Sequence, residues 1–284
     1  MKISAVVVLY NPDKNVLENI SSYVDSVDSL YMVDNSEKKN DSLIVSLCEN
    51  TKIVYCDNQG NQGIAHALNI GCNKAIDDGY DWILTMDQDS VVTPNMLDNM
   101  FNYLEYVTNM NHISIIAPFH SNPYHSESFS DETYSEILAT MTSGNLLNLT
   151  NYKQIGPFRE DLFIDYVDNE YCLRGRRKGY KVIQVNNAIL KHNLGELKQH
   201  KVLWKRFYST NHSSIRRYYA FRNRIYIIHE YKNDFRDYCK FEKSRFIVDI
   251  IIVILYEKEK LQKIKMMFLG IKDGLRNKYG KFND

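Results

Sequence analysis

The sequence contains few cysteines, and they are not arranged as a disulfide framework or a metal-binding set. Five cysteines stand far apart at positions 48, 56, 72, 172 and 239, and no two form a C-x-x-C pair. An odd, scattered set of this kind argues against paired disulfides and against a structural zinc site. We therefore expect reduced thiols and a cytoplasmic protein.

The sequence also lacks an apolar run long enough to cross a membrane. Its most apolar stretch, residues 246–255, has ten residues and contains Asp249, whereas a transmembrane helix needs about 20 apolar residues. At the N-terminus a strand-like run begins at Ile3, without the pattern of a signal peptide. We therefore expect neither a transmembrane helix nor a secretory leader.

A net charge is absent too, but only because two opposite charges cancel. Residues 1–197 contain 14 Lys and Arg against 26 Asp and Glu, whereas residues 198–284 contain 21 against 9. The formal charges of the two parts are therefore −12 and +12. This asymmetry predicts an anionic surface or partner for the basic part. The alternative is that the basic part only complements the acidic part of the same chain.

Strand-like and helix-like patterns alternate through the first half of the chain. The strand-like runs are residues 3–9, 30–33, 52–56, 82–86 and 113–117. This alternation predicts an α/β fold with a mostly parallel sheet flanked by helices. Strand and helix patterns resume at 138–149 and 168–178, and the chain reads as helical and basic from Lys198. We predict one domain at residues 1–197 and a helical basic region at residues 198–284.

Polar side chains follow the predicted strands at the points where the strands end. These ends are Tyr10-Asn11, Asp34-Asn35, Asp57-Asn58 and Asp87-Gln88-Asp89. Ligands of open α/β sheets bind outside the carboxyl ends of the strands, and a pair of carboxylates with substrate phosphates suits a hard divalent ion. A single end of this type is an ordinary turn, because Asp and Asn are common turn residues. The series predicts a nucleotide pocket in which Tyr10 packs beside the base, Asp34 accepts its N–H, and the Asp pair holds metal and diphosphate.

Taken in order along the chain, four segments carry a family resemblance. They are Val7-Val8-Leu9-Tyr10-Asn11-Pro12, Asp34-Asn35-Ser36, the Asn- and Ala-rich residues 61–71, and Asp87-Gln88-Asp89. Together they resemble family 2 glycosyltransferases of the GT-A (Rossmann-like) fold. Within that family the chain is most similar, over residues 3–195, to bacterial rhamnosyltransferases that use dTDP-rhamnose.

The resemblance implies an inverting transfer, a divalent metal (Mg²⁺ or Mn²⁺) on the Asp-x-Asp, and a carboxylate base further along the chain. The residues implied at the donor and its nucleotide are Tyr10, Asn11, Asp34, Asn61, Gly63, Asn69, Asp87 and Arg174. Of these, Gly63 also has a local reason, because glycine at a helix entrance permits close backbone approach.

The base candidate lies in residues 163–174. When the family pattern is aligned on Arg174, the catalytic aspartate falls on Asp168 and a second acid on Glu170, while Val167 replaces the usual preceding acid. Asp165 is the alternative base. Taken without the resemblance, Asp168 is equally compatible with a helix N-cap that satisfies free N–H groups.

Three further elements are implied at the same site. His192 resembles the family's C-terminal histidine and is expected to complete the metal site with Asp87 and Asp89. Thr142-Ser143-Gly144 resembles the acceptor-side loop, although a tight turn between strands explains it as well. Asp165 and Glu170 are also expected on the acceptor side. Tyr219, Arg222 and Asn223 resemble a Tyr-…-Arg-Asn element of related enzymes.

The basic C-terminal region has a helical apolar stripe flanked by lysines. The stripe is formed by Leu261, Ile264, Phe268, Ile271 and Leu275. This combination favours a helix lying on anionic lipid at the inner leaflet, which fits a lipid-linked acceptor such as an undecaprenyl-diphosphate oligosaccharide. Docking onto the domain and a homodimer interface are the alternatives.

The sequence thus predicts a metal-dependent inverting glycosyltransferase of bacterial surface polysaccharide synthesis, on the cytoplasmic face of the membrane. The expected partners are dTDP-L-rhamnose and a glycan acceptor, with no nucleic acid; UDP-hexose and UDP-galactofuranose are the alternative donors. A sugar-phosphate nucleotidyltransferase would need a Gly-rich basic loop after the first strand, where this chain has Tyr10-Asn11-Pro12-Asp13. An inactive glycan-binding scaffold would not need Asp87, Asp89 and Asp168.

Overall fold

The β-branched run at the N-terminus forms the strand around which the sheet is built. In the computed structural model, strand β1 (Ile3–Leu9) is buried at all seven positions. Continuous apolar sequence is what a strand covered on both faces requires. The structure describes residues 1–107, 110–121, 132–192, 198–202 and 205–282.

Three further strands extend β1 in parallel. They are β2 (Ser29–Asp34), β3 (Ile53–Asp57) and β4 (Trp82–Asp87). Their order in the sheet is β3-β2-β1-β4, with parallel pairing throughout. Helices α1 (Asn15–Ser21), α2 (Asp41–Cys48) and α3 (Ile64–Asp77) lie between them in the chain. The predicted parallel sheet with flanking helices is confirmed for this half.

The other half of the sheet is mixed. Its strands are β5 (Ser90–Val92), β6 (Ile113–Ser121), β7 (Tyr134–Ile137), β8 (Asn145–Asn148) and β9 (Lys181–His192). After β4 the order continues β8-β6-β9-β5, and β7 pairs with β9. Only the β6–β9 pairing is parallel among the described strands of this half. Helices α4 (Met96–Tyr106), α5 (Leu149–Ile155) and α6 (Val167–Arg177) complete this part of the chain.

The chain divides into two compact units. Residues 1–159 and 171–193 form the first unit, which contains the sheet and its apolar core. Residues 160–170 and 194–284 form the second. The second unit contains the predicted C-terminal region (198–284) together with residues 160–170 and 194–197, which the sequence analysis placed in the first domain.

The second unit begins its C-terminal part with a hairpin and continues with three helices. These elements are β10 (Lys198–Val202), β11 (Lys205–Ser209), α7 (Ser214–Tyr231), α8 (Arg236–Tyr256) and α9 (Lys260–Leu275). The hairpin corrects the expectation that the chain is helical from Lys198. Its strands are polar, so they carry no apolar alternation; cross-strand bonds such as Gln199 Nε2 to the Tyr208 hydroxyl (3.0 Å) accompany the pairing.

Helix α9 packs on α7 through two glycines. A Cβ atom built on Gly270 would lie 2.4 Å from the Tyr218 carbonyl oxygen, and one on Gly274 would lie 2.8 Å from the Arg222 carbonyl oxygen. The absence of side chains at these positions is what permits the close approach of the two helices. Among the helices of the described residues, none is long and apolar enough to cross a membrane.

Gly71 allows helix α3 to lie against β1. A Cβ at this position would stand 2.3 Å from Cγ2 of Val6, which is fully buried. We expect Gly71→Ala to lower the free energy of unfolding by about 1–3 kcal/mol, because overpacking outweighs the better helix propensity of alanine. Urea unfolding measures this. The double variant Gly71→Ala/Val6→Ala should recover part of the loss, and a neutral Gly71→Ala would contradict the close contact.

Candidate active site

The ends of β1, β2 and β4 lie side by side at one edge of the sheet. The parallel register pairs Leu9 with Asp34 and Val8 with Asp87, and it pairs Asp34 with Asp57 of β3. Because neighbouring strands are about 4.8 Å apart, the polar residues after these strands are brought together. The shared edge predicted from the four polar strand ends is therefore present.

Gln88 ties the end of β1 to the turn between the two acids. Its Oε1 accepts a hydrogen bond from the Tyr10 backbone N–H (2.8 Å), and its Nε2 donates to the Tyr10 carbonyl (3.1 Å). The Tyr10 side chain is exposed. Asn11 adopts a left-handed conformation (φ 47°) and donates its backbone N–H to Ser36 Oγ (2.7 Å). These contacts fix the β1 end against the ends of both its neighbours.

Asp34 is fully buried at the end of β2. Its carboxylate accepts hydrogen bonds from the Ser36 backbone N–H (2.9 Å) and the Tyr55 hydroxyl (3.2 Å), and Lys39 Nζ lies 3.6 Å away. In this structure the carboxylate therefore organises its own strand end. Burial, followed by the charge of Asp34, raises the pKa of Tyr55.

Lys39 brings a positive charge to this edge. Its Nζ lies 2.7 Å from the Asp57 carboxylate and donates to the Asp34 carbonyl (3.1 Å). The hydrogen bond from Lys39 lowers the pKa of Asp57. The sequence analysis did not name Lys39, and it named Ser36 and Gln88 only as parts of motifs, without a role for their side chains. Each stands within five residues of a strand-end acid, and this proximity was the feature of the sequence that could have indicated a role.

Asn61 and Gly63 lie at the entrance of α3. The Asn61 side-chain oxygen accepts the Gly63 backbone N–H (3.0 Å), and Gly63 has φ 91° and ψ 159°, a conformation that favours glycine. The Gly63 carbonyl accepts from Asn35 Nδ2 (3.1 Å), and the Asn35 side-chain oxygen accepts from Asn58. The α3 entrance is thus joined to the ends of β2 and β3.

Asp87 and Asp89 differ in exposure. Asp87 is half-buried and Asp89 is exposed. The Asp87 backbone N–H donates to Ser143 Oγ (3.0 Å), which in turn donates to Ser90 Oγ (2.8 Å). Ser143 therefore holds the Asp87 backbone N–H on one side of Asp89 and the Ser90 side chain on the other.

The Thr142-Ser143-Gly144 loop lies directly beside the end of β4. The Thr142 carbonyl accepts from Thr85 Oγ1 (2.5 Å), and the Gly144 backbone N–H donates to the Thr85 carbonyl (2.7 Å). Gly144 has φ +82°, and a Cβ there would lie 2.8 Å from Pro118 and 2.9 Å from Leu190. The structure brings this sequence-predicted loop next to Asp87. The loop is also a tight turn, so the turn interpretation and the acceptor-side loop interpretation are compatible.

His192 is the last residue of β9, and its backbone pairs with Ser90 in the antiparallel register. Its side chain lies outside the described residues. Among the described residues, no three His, Cys, Asp or Glu side chains form a group that could hold a metal. Asp87 and Asp89 are the carboxylates at this strand end that could contact a divalent ion together with ligand phosphates.

Asn69 and Arg174 have structural partners within the first unit. Asn69 is buried; its side chain donates to the Phe158 carbonyl (2.9 Å) and accepts from the Tyr152 hydroxyl (2.8 Å). The Arg174 guanidinium donates to the carbonyls of Ile155 (2.8 Å) and Pro157 (2.7 Å). In this structure both residues hold the turn after α5 rather than lining the strand-end edge.

The three acids of residues 163–174 belong to the second unit. Asp168 lies in the first turn of α6, after Val167, so it is inside the helix rather than its N-cap. Glu170 is buried and accepts from the Tyr231 hydroxyl (2.9 Å). Asp165 pairs with Arg216, with 3.1 Å between Oδ1 and Nε. Acids in the first turn are favoured by the helix dipole.

The segment before Asp168 has unusual backbone geometry. Phe163, Asp165 and Tyr166 have φ values of 67°, 62° and 64°. A non-glycine residue in the left-handed region is disfavoured by roughly 1–2 kcal/mol. Three such residues in four positions persist only when their surroundings hold them, and such geometry clusters at functional sites.

The comparison with protein families matches this chain to "Glycosyl transferase family 2" over residues 4–151, more than half of its 284 residues. The dTDP-rhamnosyl transferase RfbF of Shigella flexneri is 26% identical over 290 residues, covering 96% of this chain and 95% of that protein. The family match includes the ends of β1 to β8 and stops before α6 and β9.

Two solved structures share the fold. S. aureus TarS 1-349 in complex with UDP-GlcNAc superposes with a TM-score of 0.65 at 14% identity, covering 97% of this chain and 81% of that one. GalNAc-T7 with UDP, GalNAc and Mn²⁺ gives a TM-score of 0.54 at 14% identity, covering 67% of this chain. This chain spans 43% of the GalNAc-T7 chain. With the family match over residues 4–151, these findings establish that the chain is a member of glycosyltransferase family 2 with a GT-A-like fold.

Proposed function

We propose that this enzyme transfers L-rhamnose from dTDP-L-rhamnose to a hydroxyl of a glycan acceptor, with inversion at the anomeric carbon. The observation that carries the proposal is the single edge at which β1, β2 and β4 end, with Tyr10, Asp34 and Asp87 side by side. The choice of donor is supported by the relative from Shigella flexneri, which is named as a dTDP-rhamnosyl transferase.

The nucleotide end of the donor is assigned to the β1 and β2 ends. The exposed Tyr10 ring offers a flat apolar face for the base. Asp34 retains lone pairs beyond those used by Ser36 and Tyr55, and it supplies the acceptor for the base N–H. Asn11, Asn61 and Gly63 present backbone and amide groups around the ribose and phosphates.

The diphosphate end is assigned to Asp87 and Asp89, with His192 as a third ligand. A divalent cation, Mg²⁺ or Mn²⁺, would neutralise the charge that develops on the leaving nucleoside diphosphate. GalNAc-T7, which shares the fold, was solved with UDP and Mn²⁺. The Gln88 contact ties the turn between these aspartates to the Tyr10 backbone, and the Ser143 contact holds the Asp87 backbone N–H.

Asp168 is assigned as the general base. It takes the proton of the acceptor hydroxyl as the hydroxyl oxygen attacks the anomeric carbon and the bond to the diphosphate breaks. Thr142, Ser143, Gly144, Asp165 and Glu170 are assigned to the acceptor side. The buried Glu170 acts there by supporting α6 through Tyr231 rather than by contacting the acceptor.

The acceptor is proposed to be a lipid-linked glycan of surface polysaccharide synthesis, used at the cytoplasmic face of the membrane. The basic C-terminal region supports this location, since it carries a formal charge of +12. UDP-hexose and UDP-galactofuranose remain the alternative donors. The TarS structure with UDP-GlcNAc favours a UDP donor as the second candidate.

We expect Asp168→Asn to lower kcat by about 10²–10⁴-fold while donor binding survives, because the amide cannot accept the proton. Steady-state release of dTDP and donor-induced thermal stabilisation measure the two effects. Asp165→Asn is the comparison variant, because Asp165 is the alternative base and Asn tolerates the left-handed conformation of that position. Wild-type activity in Asp168→Asn, or a greater loss in Asp165→Asn, would overturn the assignment.

We expect dTDP-L-rhamnose to stabilise the protein against heating more than UDP-GlcNAc does, and only when Mg²⁺ or Mn²⁺ is present. A ligand at 100 times its Kd stabilises by about 2.7 kcal/mol. Asp89→Asn should lose the metal-dependent part, whereas Asp98→Asn, an exposed acid on α4, should keep it. Equal stabilisation without metal would contradict the metal site, and a preference for UDP-GlcNAc would contradict the donor.

A further inference from the structure

In the C-terminal helices most acidic side chains are buried and most basic side chains are exposed. Four of the five acids between residues 240 and 278 are buried, whereas eight of the ten Lys and Arg are exposed. The buried acids are Glu242, Asp249, Glu257 and Asp273. Each has a partner inside the unit: Arg224 contacts Glu242 (3.1 Å) and Asp249 (2.7 Å), Lys263 contacts Glu257 (3.0 Å), and the Tyr218 hydroxyl donates to Asp273 (2.9 Å). The charge left at the surface is therefore almost entirely positive.

Large apolar side chains are exposed among these positive charges. On α9, Leu261, Phe268 and Leu275 are 87%, 58% and 69% exposed. They recur every seven residues, and Lys265 and Lys272 stand between them on the same helical face. On α8 a second exposed apolar stripe consists of Ile247, Ile251, Ile254 and Leu255.

We propose that this basic apolar face of α9 docks on an anionic lipid bilayer. Apolar side chains enter the boundary of the acyl chains while lysines meet the phosphate head groups, which is the pattern of helices that lie in the membrane interface. A second copy of this chain is a poorer occupant. A two-fold contact would place the same positive face opposite itself, and like charges oppose such pairing.

The test is sedimentation of the full chain with vesicles. Vesicles of equal parts phosphatidylglycerol and phosphatidylcholine should bind the protein, whereas pure phosphatidylcholine vesicles should bind it poorly. Lys265→Glu/Lys272→Glu should weaken binding by about tenfold or more, and Phe268→Ser should weaken it at any salt concentration. Lys74→Glu/Lys153→Glu, on exposed lysines of the first unit, changes the net charge equally and should leave binding intact.

Equal binding to neutral vesicles, or full binding by Lys265→Glu/Lys272→Glu, would overturn the proposal. So would a concentration-dependent dimer in sedimentation equilibrium that Phe268→Ser abolishes, because it would make the face a contact between copies. The proposal deepens the proposed lipid-linked acceptor, but the assay needs no turnover. Transfer to a water-soluble acceptor therefore tests the catalytic assignment separately.

A second, independent observation concerns the left-handed segment before Asp168. Asn223 of α7 is fully buried, and its Nδ2 lies 2.9 Å from each of the carbonyl oxygens of Leu162, Ile164 and Asp165. Its neighbour Arg222 donates to the carbonyls of Asp161 (3.1 Å) and Leu162 (2.9 Å). Two adjacent side chains thus bind four of the five carbonyl oxygens of residues 161–165, all except that of Phe163.

Aromatic packing holds the remaining residue of this segment. The Phe163 ring stacks on Tyr219 with 4.9 Å between centroids, and the Arg222 guanidinium lies 4.9 Å from the Tyr219 ring centroid. We infer that Arg222 and Asn223 are positioning residues that fix the orientation of the first turn of α6, where Asp168 lies. This role rests on the proposed function, since it acts through the proposed base.

Asn223→Leu keeps most of the volume but removes both donors. We expect kcat to fall about tenfold to a hundredfold with the KM for donor unchanged, because small misplacement of a catalytic group is costly. Arg222→Lys should lower kcat by a smaller factor, again with the KM for donor unchanged. This variant can be measured if Asn223→Leu does not fold. Asn151→Leu is the control: this buried asparagine donates to the Ile113 carbonyl (2.8 Å) in the first unit.

The control should lose thermal stability without changing kcat below its melting temperature. Unchanged kcat in both folded α7 variants, while Asp168→Asn remains inactive, would overturn the positioning role alone. Activity in Asp168→Asn would overturn the proposed base instead. A rise in KM with constant kcat would also contradict positioning, since it would indicate weaker donor binding.

Discussion

The in-register parallel pairing of β1 with β2 and β4 is the constraint on which the site depends. It places Leu9 beside Asp34 and Val8 beside Asp87, so the residues after three separate strands meet at one edge. A shift of one residue in either pairing would turn every side chain of that strand to the opposite face. The register is protected because β1 is buried throughout.

Side-chain contacts to backbone then convert this edge into a fixed arrangement. The Gln88 side chain binds both the backbone N–H and the carbonyl of Tyr10. Ser36 Oγ accepts a hydrogen bond from the Asn11 backbone N–H, and Ser143 Oγ accepts one from the Asp87 backbone N–H. Each contact satisfies a backbone group at a strand end, where the sheet no longer provides a partner. These contacts support the edge at which Asp87 and Asp89 lie.

The strands of the sheet could be predicted because each is marked by an apolar run within its own few residues. The apolar run at residues 82–86 became β4, and helix α3 (Ile64–Asp77) begins directly after Gly63, the glycine expected at a helix entrance. Whatever depends on a distant partner was harder to predict. The polar hairpin β10–β11 has no apolar alternation, and the left-handed conformations at Asp165 and Tyr166 are held by α7, far away in the sequence.

The site residues divide in the same way. The strand-end acids and the Ser143 loop were predictable from motif and position. Asn69 and Arg174 match the family motif, yet their side chains bind carbonyls of the turn after α5, a choice that only tertiary packing makes. Lys39 was missed because its partners, Asp34 and Asp57, meet only through the β2–β3 pairing.

Arg222 has an unusual double attachment. Its backbone is in contact with the two glycines of α9, while its side chain holds the carbonyls of Asp161 and Leu162. A shift of α9 along α7 would therefore reach the residues that precede α6 through one amino acid. Coupling of this kind is reciprocal. A contact that stabilises the left-handed segment would also stabilise the position of α9, and a contact made by α9 would affect the left-handed segment.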